Sequence, residues 1–309
     1  MMKPALVCNN LSRWYGEVQG LAGLNLNLGS GVYGLLGPNG SGKSTLMRLI
    51  TGQIRPSRGS VEIFGEVMKP GNQKLFRKIG YAIGEDIHFE AERAIDFLKL
   101  LATLNGASRN TAEKVAIEAL RFMGMEEKGH VRLNQMSKGM RQRVKVAQAF
   151  LFEPDLVLLD EPLNGMDPVN RIKTIEKVRE WGERGKTVLL ASHVLHEVES
   201  VTDKLIMLHH GRLLAEGKLK DIRDLIDSKP RRATIQGEHL RDLIADLINK
   251  EIIIGFNQES EKCYQLDTEN LDELLKYLRE YGKKGHIQTL ETDDQDLELV
   301  YDMLLSESN

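Results

Sequence analysis

The chain has 309 residues, with 42 lysines and arginines against 45 aspartates and glutamates, and so a formal net charge of −3. This length predicts one large α/β domain or two domains, with room for a substantial core. The balanced charge argues against a protein that binds nucleic acid through a basic surface. The two cysteines, Cys8 and Cys263, fit no metal-ligand spacing, which favours reduced thiols over a disulfide.

No stretch of the sequence has the character of a membrane span. The run Leu6-Val7-Cys8 is too short for the apolar region of a secretory signal peptide. The longer apolar runs, such as Leu156–Leu159, have the length of a strand, whereas a spanning helix needs about 20 apolar residues. We therefore expect a cytoplasmic protein that does not cross a membrane by itself.

The N-terminal part of the sequence predicts strands. Residues 3–35 alternate short apolar runs with glycine turns, which is typical of an antiparallel β-layer. Val32–Leu36 predicts a short buried strand, and Leu46–Ile50 predicts the first turns of a helix. The turn-rich residues 55–59 then lead to a strand at Ser60–Phe64.

A glycine-rich loop between that strand and that helix matches the pattern G-x-x-x-x-G-K-[ST]. Its glycines let backbone N–H groups turn inward and surround phosphate oxygens, and the positive end of the helix dipole points at the same anion. Lys43 can reach the β- and γ-phosphates, and the Ser44 hydroxyl can bind Mg²⁺. The motif predicts a nucleoside triphosphate site formed by Gly37, Pro38, Asn39, Gly40, Ser41, Gly42, Lys43, Ser44 and Thr45.

The character of the sequence changes between about residues 86 and 152. Apolar residues recur at helical spacing in residues 91–104 and again from Thr111 to Met123. A third helix is predicted at Met140–Phe150. We interpret this stretch as a helical subdomain inserted between β-rich pieces.

Two continuous apolar runs, Asp155–Asp160 and Lys186–Ala191, are typical of buried parallel strands. A helix predicted at about residues 169–184 joins them into a βαβ unit. The first strand ends in two acids, of which Asp160 can hold Mg²⁺ and Glu161 can polarise an attacking water. Many strands end in acids that are only solvated, so Asp160 and Glu161 alone are weak evidence for a site. The glycine-rich loop earlier in the sequence makes the prediction strong.

The last third of the sequence predicts a hairpin and then a small separate domain. Leu205–Leu208 and Arg212–Ala215 flank a His-His-Gly turn, and a helix from Leu219 to Ile226 leads to a domain boundary at residues 228–229. Beyond it we expect a strand, a helix, two strands, a helix, a strand and a helix, at Ala233–Gln236, Leu240–Lys250, Ile252–Phe256, Cys263–Leu266, Leu271–Tyr281, His286–Leu290 and Leu297–Leu305.

The segment Met136–Arg143 points to a family. Its residues Met-Ser-Lys-Gly-Met resemble the signature of ABC ATPases, usually Leu-Ser-Gly-Gly-Gln, in the variant Leu-Ser-Lys-Gly-Met of many stand-alone transporter subunits. Ser137 and Gly139, at the start of the third helix, would present a hydroxyl and N–H groups to a phosphate. Taken alone, Ser137 would be an ordinary helix N-cap, but the motifs on either side favour the signature.

Other residues resemble landmarks of the same family in the same order. Asn164–Pro168 resembles the D-loop, where Asp167 would bridge two subunits. His193, just after the second buried strand, resembles the switch histidine that contacts the γ-phosphate. Tyr15 resembles the aromatic residue that stacks on adenine, with a tyrosine in the core of a strand as the alternative.

One position departs from the family pattern. After a Gly-Tyr pair the family has a glutamine, whereas Gly80-Tyr81 is followed here by Ala82-Ile83-Gly84-Glu85-Asp86. Glutamine stays neutral beside Mg²⁺ and the attacking water, while a carboxylate would coordinate Mg²⁺ but add negative charge beside the γ-phosphate. We hypothesise that Glu85 takes the role of the glutamine through a water molecule.

The resemblance covers about residues 3–217 and implies an α/β fold. It implies a P-loop NTPase core of the ABC ATPase type over residues 1–228, with an antiparallel β-layer and the helical subdomain inserted at about residues 86–152. Residues 229–309 would form a small α+β accessory or regulatory domain. The implied cofactors are ATP and Mg²⁺, with Glu161 and His193 as catalytic residues and Ser44, Asp160 and Glu85 as metal ligands.

The family also implies partners. Such ATPases work as head-to-tail dimers, with ATP between Gly37–Thr45 of one copy and Ser137–Gly139 of the other. One P-loop and no membrane span predict a homodimer, peripheral on the cytoplasmic face of the membrane and bound to a separate permease. The Lys138-Gly139-Met140 form of the signature and the C-terminal domain resemble subunits of ABC-2-type permeases, which are mostly exporters.

Two other functions are compatible with a P-loop. An ABC ATPase of translation or DNA repair generally has a second ATPase module, long coiled coils or a zinc hook, none of which this sequence predicts. A regulatory module with a degenerate site would lack some of the residues Lys43, Asp160, Glu161 and His193, which are all present. We expect no nucleic acid partner, and the substrate of transport would contact only the permease.

Overall fold

The structure is a computed structural model of the chain, and it describes residues 3–85, 91–222, 231–238, 240–260, 262–282 and 286–292. The chain divides into two compact units, Met1–Leu219 and Lys220–Asn309. The boundary expected at residues 228–229 lies outside the described residues. Of the helices that the described residues form, none combines the length and the apolarity that a membrane span needs.

A six-stranded sheet forms the centre of the first unit. In spatial order the strands are β10 (Arg212–Lys218), β9 (Lys204–His209), β3 (Gly31–Leu36), β8 (Thr187–Ser192), β7 (Leu156–Asp160) and β6 (Ile79–Ala82). Neighbouring strands run parallel, except that β9 and β10 are antiparallel and form the predicted hairpin. Strands β7 and β8 are buried along their whole length, as their continuous apolar sequences predict.

A second, antiparallel sheet confirms the β-layer expected ahead of the glycine-rich loop. Its strands in spatial order are β2 (Val18–Leu28), β1 (Leu6–Tyr15), β4 (Arg58–Ile63) and β5 (Glu66–Val67). Apolar side chains of this layer pack with those of the six-stranded sheet and of helix α1 (Lys43–Ile50) in one core, which includes Leu6, Leu24, Leu46, Ile63, Leu158 and Ile206. This core fixes the strand and the helix that flank the glycine-rich loop.

The helical stretch has the predicted position. Its helices α3 (Ala94–Leu104) and α4 (Arg109–Phe122) pack against each other and against α5 (Lys138–Ala149). Ser108 caps the start of α4 and Ser137 caps the start of α5, and in both cases the serine hydroxyl accepts a hydrogen bond from an N–H of the first turn. Other α-helices among the described residues of the first unit are α2 (Gln73–Phe76), α6 (Pro168–Glu183) and α7 (Leu195–Glu199).

The second unit is a four-stranded antiparallel sheet with two helices. The chain order strand, helix, strand, strand, helix, strand and the spatial order β12-β13-β11-β14 are those of a ferredoxin-like fold. The apolar faces of the helices pack with the sheet in a separate core. The elements are β11 (Arg231–Gly237), α8 (Leu240–Asn249), β12 (Gly255–Ser260), β13 (Cys263–Thr268), α9 (Leu271–Gly282) and β14 (Ile287–Thr292).

The predicted position of one strand of this unit is wrong. We expected a strand at Ile252–Phe256, but β12 begins only at Gly255. Ile252 and Ile253 are apolar because they are buried in the core after α8, not because they form a ladder. The helix expected at Leu297–Leu305, and the end of the one expected at Leu219–Ile226, lie outside the described residues. Both cysteines are free, and both are buried.

Candidate active site

A cleft of about 720 Å³ lies at the carboxyl ends of β3 and β7, the edge at which open α/β sheets bind ligands. Four segments distant in sequence line it, and they bring together most of the site residues predicted from the sequence. The lining residues are Tyr15, Val18, Gln19, Gly20, Asn39, Gly40, Ser41, Gly42, Lys43, Ser44, Thr45, Arg48, Gln53, Ile54, Tyr81, Ile83, Gly84, Glu85, Asp160, Glu161 and Asn164.

The glycine-rich loop is held closely against its neighbours. Gly42 has a φ of 106°, and a Cβ at this position would lie 2.6 Å from the carbonyl oxygen of Gly20, so only glycine fits. Gly37 is equally confined, because a Cβ there would lie 2.3 Å from Ser41 Oγ. Gly42 also caps α1 without a side-chain hydrogen bond, so no side chain competes for the first N–H groups of this helix. Such a helix start is a site for an anion.

Lys43 is buried at the bottom of this loop. Its Nζ donates to the carbonyl oxygens of Gly37, at 2.5 Å, and Pro38, at 3.1 Å. Burial lowers the pKa of Lys43, while the charges of Glu161 and Asp160 oppose that shift. The ammonium group is therefore partly desolvated and next to the loop, where it strengthens the attraction for an anion.

Ser44 and Asp160 join the loop to the end of β7. The Ser44 hydroxyl donates to Asp160 Oδ2 over 2.9 Å. Burial raises the pKa of Asp160, and the hydrogen bond from Ser44 and the charge of Lys43 oppose the rise. A hydroxyl and a carboxylate from opposite walls of the cleft are the hard oxygen ligands that Mg²⁺ takes beside a phosphate, so the residues present fit this ion.

Glu161 is held in an uncommon backbone conformation. Its φ of 49° is left-handed, which non-glycine residues rarely adopt and which is enriched at functional sites. Its N–H donates to the carbonyl oxygen of Ala191 over 3.0 Å, and Gln142 Nε2 donates to its carbonyl oxygen over 2.9 Å. These two bonds aim the carboxylate into the cleft from the end of β7.

Glu161 and His193 are in direct contact. His193 Nδ1 lies 2.8 Å from Glu161 Oε1, and the ring N–H donates because an ionised carboxylate only accepts. The loop that carries His193 is anchored on either side of this residue, since Ser192 Oγ donates to Glu197 Oε2 over 2.7 Å and accepts from Val194 N–H over 3.1 Å. A carboxylate and an imidazole so placed can orient and deprotonate a water molecule.

Tyr15 reaches the same cleft from the antiparallel sheet. Tyr15 is 41 % exposed, and its ring packs on Gly20, where a Cβ would lie 2.9 Å from Tyr15 Cε2. The Arg13 guanidinium lies 4.9 Å from the centre of the ring. The ring is therefore a supported but accessible surface, not a core residue, and it offers a planar face on which a base can stack.

Glu85 lines the cleft too, but its carboxylate has a partner. Arg48, on α1, donates from Nη2 to Glu85 Oε1 over 3.1 Å, and the Glu85 side chain is 72 % exposed. For Glu85 to approach a metal, this ion pair would have to open. The sequence did not single out Arg48, because it lies 37 residues from Glu85 and belongs to no motif.

Ser137 and Gly139 of the signature and Asp167 of the D-loop do not line the cleft of their own chain, whereas Asn164 of the D-loop does. Ser137 Oγ accepts from Met140 N–H over 3.2 Å at the start of α5. Gly139 is packed on the D-loop, where a Cβ would lie 3.1 Å from the carbonyl oxygen of Gly165. Asp167 starts α6 by accepting from Asn170 Nδ2 over 2.6 Å and from Asn170 N–H over 3.0 Å, and these bonds, first the one from the side chain, lower the pKa of Asp167. Ser137, Gly139 and Asp167 are therefore not brought to the cleft within one chain.

Comparisons with known proteins agree with this geometry. A family model described as ABC transporter matches residues 21–164. The chain is 33 % identical over 226 residues to the Nod factor export ATP-binding protein I of Rhizobium etli, covering 72 % of this chain and 71 % of that protein. It is 30 % identical over 258 residues to the daunorubicin/doxorubicin resistance ATP-binding protein DrrA of Streptomyces peucetius, covering 83 % and 78 %.

A solved structure shows the same fold. The dimeric structure of a bacterial ABC transporter cassette superimposes with a TM-score of 0.64 at 27 % identity, covering 69 % of this chain and 98 % of that cassette. This confirms the predicted P-loop core with its antiparallel layer and helical subdomain.

Proposed function

The chain belongs to the ABC transporter family, and from that premise we propose that it is the ATP-hydrolysing subunit that energises a separate membrane permease of the ABC-2 type, for export. The proposal rests on two contacts made by residues of one cleft: Ser44 binds Asp160, and Glu161 binds His193, which does not itself line the cleft. The Ser44–Asp160 contact suits a metal ion, and the Glu161–His193 contact suits a water nucleophile. The start of α1, which suits phosphates, contributes to the same cleft.

We assign the binding roles accordingly. The residues Gly37–Thr45 hold the phosphates, with Lys43 next to the β- and γ-phosphates, and Tyr15 supports the base. Ser44 and Asp160 hold Mg²⁺, which when bound draws charge from the phosphate oxygens and makes the γ-phosphorus easier to attack. The chain itself supplies oriented donors and a desolvated ammonium group, so little reorganisation is needed when the substrate arrives.

Hydrolysis is assigned to Glu161 and His193. The Glu161 carboxylate accepts a proton from the attacking water, and His193 holds the carboxylate in place and contacts the γ-phosphate. The left-handed backbone of Glu161 and the bond from Gln142 restrict where this base can point. Because Gln142 lies on the signature helix α5, movement of that helix would also move the base.

Glu85 is assigned to the Mg²⁺ site through a water molecule. The assignment requires the Arg48–Glu85 ion pair to open when Mg·ATP is bound, and an exposed pair of this kind costs at most about 1 kcal/mol to break. Unchanged ATPase rate and Mg²⁺ dependence in both Glu85→Gln and Glu85→Ala would refute this role.

We propose that two copies complete each site. Ser137 and Gly139 of one copy would face the ATP held by Gly37–Thr45 of the other, with Asp167 bridging the copies. The position of these three residues outside their own cleft supports this arrangement, as does the dimeric cassette of similar fold. ATP then joins the two copies, and hydrolysis removes the γ-phosphate and lets them separate.

A permease partner and an export direction follow from the relatives, of which one is named for Nod factor export. The chain would then act at the cytoplasmic face of the membrane, bound to that permease, and the ferredoxin-like unit would be an accessory or regulatory domain. An ABC ATPase that acts on a soluble complex, in translation or DNA repair, is the alternative.

A tagged Glu161→Gln chain, expressed in its own host and purified from detergent-solubilised cells with Mg·ATP, separates these functions. We expect an integral membrane protein in stoichiometric amount, identified by mass spectrometry and lost from a Lys43→Ala control. Recovery of ribosomal proteins or DNA without any integral membrane protein would contradict the transport function and favour the alternative.

A further inference from the structure

Lys145 is a lysine buried in the middle of α5. Its side chain is 2 % exposed, and burying an ammonium group is costly unless it is paired or hydrogen-bonded. Its Nζ donates to two main-chain carbonyl oxygens, that of Glu85 over 2.9 Å and that of Gly84 over 3.2 Å. The signature helix is thereby bonded to the segment that replaces the glutamine of the family pattern.

The Gly84–Glu85 segment is also fixed from two other directions. On the side of α1, Arg48 binds the Glu85 carboxylate. On the side of β7, Gly84 lies so close to Asp160 that a Cβ would be 3.3 Å from the carboxyl carbon. Cations from the P-loop helix and the signature helix therefore hold one short segment against the carboxylate assigned to Mg²⁺.

The charges explain why a lysine suits this position. A neutral glutamine needs no compensation, but Glu85 places an additional negative charge at the entrance to the metal site. Lys145 itself is buried, so water screens the charge of its ammonium group only weakly. It also acts on Asp160, because its charge is among those that oppose the burial-induced rise in the pKa of that residue.

We infer that Lys145 is a positioning residue for the magnesium site, which holds the Gly84–Glu85 backbone beside Asp160 and balances the carboxylate that stands in for the family glutamine. The inference rests on the proposed assignment of Asp160 to Mg²⁺. It gives the signature helix a direct connection to the metal side of its own chain's site, in addition to the phosphate contact proposed across the dimer.

Binding of a fluorescent ATP analogue, measured with Mg²⁺ and with EDTA, tests the inference without relying on turnover. In Lys145→Met we expect the Kd with Mg²⁺ to rise about tenfold, the effect typical of losing a group that orients a metal ligand. The Kd in EDTA should stay within about twofold of the wild type, because no phosphate contact is removed. ATPase kcat should fall in parallel with the loss of Mg²⁺-dependent affinity.

Gln148→Met is the matched control. Gln148 lies on the same helix and donates to the carbonyl oxygen of Tyr81 over 3.2 Å, a bond of the same type that does not reach the Gly84–Glu85 segment. We expect it to lower stability without changing the ratio of the two Kd values. The inference would be overturned if Lys145→Met changed the Kd equally with Mg²⁺ and with EDTA, or changed neither Kd. It would also be overturned if Gln148→Met shifted the ratio of the two Kd values as much as Lys145→Met does.

Two further variants keep the test decisive. If Lys145→Met does not fold, Lys145→Gln keeps a donor for the two carbonyls. We then expect a smaller shift of the ratio of the two Kd values in the same direction, and no shift would overturn the inference.

In the double variant with Glu85→Gln, Lys145→Met should shift the ratio of the two Kd values less than it does alone, because the charge to be balanced is gone. Asp160→Asn reports on the metal site separately, and a wild-type ratio there would refute the assignment of Asp160 itself.

Discussion

The chain has two helix starts that its family uses for phosphate, and they are built differently. Helix α1 begins after Gly42, which supplies no side-chain cap, and it lines the cleft together with Lys43. Helix α5 begins after Ser137, whose hydroxyl caps the helix itself, and it lies outside that cleft. We propose that the first start binds an anion by itself, whereas the second remains a capped helix until another copy brings a nucleotide to it. This difference fits the proposed division of each site between two copies.

The largest expected effect concerns Glu161, which we propose as the base that activates water. In Glu161→Gln the proton acceptor is lost while the shape of the side chain is kept, so ATP hydrolysis should fall about 10²- to 10⁴-fold. Nucleotide affinity should change little, since α1 is untouched. A phosphate-release assay and an ATP-binding titration on the same preparation measure both, and a rate within tenfold of the wild type would contradict the assigned role.

The next largest effect, from Lys43→Ala, tests whether the start of α1 binds nucleotide without a second copy. Lys43→Ala removes a buried ammonium group beside the phosphates, and we expect ATP affinity to fall about 30-fold or more, the loss of about 2 kcal/mol or more that accompanies truncating a buried charge contact. Calorimetric titration of the monomer gives the Kd. An affinity equal to that of the wild type would show that the loop is not the binding site.

A smaller effect is expected on the α5 side, and the chain offers a matched control. Ser137→Ala and Ser108→Ala each remove an equivalent N-cap, so each should cost about 1 kcal/mol of stability, measured by denaturant unfolding. Only Ser137→Ala should also lower ATP turnover, by about tenfold, because only this hydroxyl is expected to face a phosphate. Equal turnover in the two variants would make Ser137 a cap and nothing else.

The smallest effect on turnover is expected from the second unit. Leu243 is fully buried in its core, so Leu243→Ala should destabilise this unit by about 2–5 kcal/mol. Basal ATP hydrolysis should stay within about twofold, because none of the residues of this unit that the structure describes lines the cleft. A larger change in hydrolysis would mean that the ferredoxin-like unit regulates the site, and thermal unfolding with a parallel ATPase assay distinguishes the two results.

The elements that the sequence predicted well are those with local causes. The strand, loop and helix around Lys43 follow from a short motif, and the buried strands β7 and β8 follow from continuous apolar runs. The strand predicted at Ile252–Phe256 begins later, at Gly255. The prediction was wrong because apolar residues indicate burial, and a buried residue can lie in a loop as well as in a strand.

The contacts around the cleft show a second limit. Arg48 pairs with Glu85 across 37 residues, and Lys145 bonds the same segment across 60 residues. Neither residue belongs to a motif, and a lysine within a helix usually indicates a solvated face. Only the fold shows that Lys145 points inward. The sequence therefore predicts the phosphate site, but it does not predict that Arg48 and Lys145 hold the Gly84–Glu85 segment.

We propose that ATP joins two copies of this chain, and the molar mass of the Glu161→Gln variant in solution shows whether it does. Light scattering during size-exclusion chromatography should show a monomer without nucleotide and a doubling of the mass with saturating Mg·ATP, because the intact γ-phosphate binds α1 of one copy and α5 of the other. The added substitution Ser137→Arg should abolish the doubling while ATP still binds. A Glu161→Gln variant that binds Mg·ATP and remains monomeric would contradict the account.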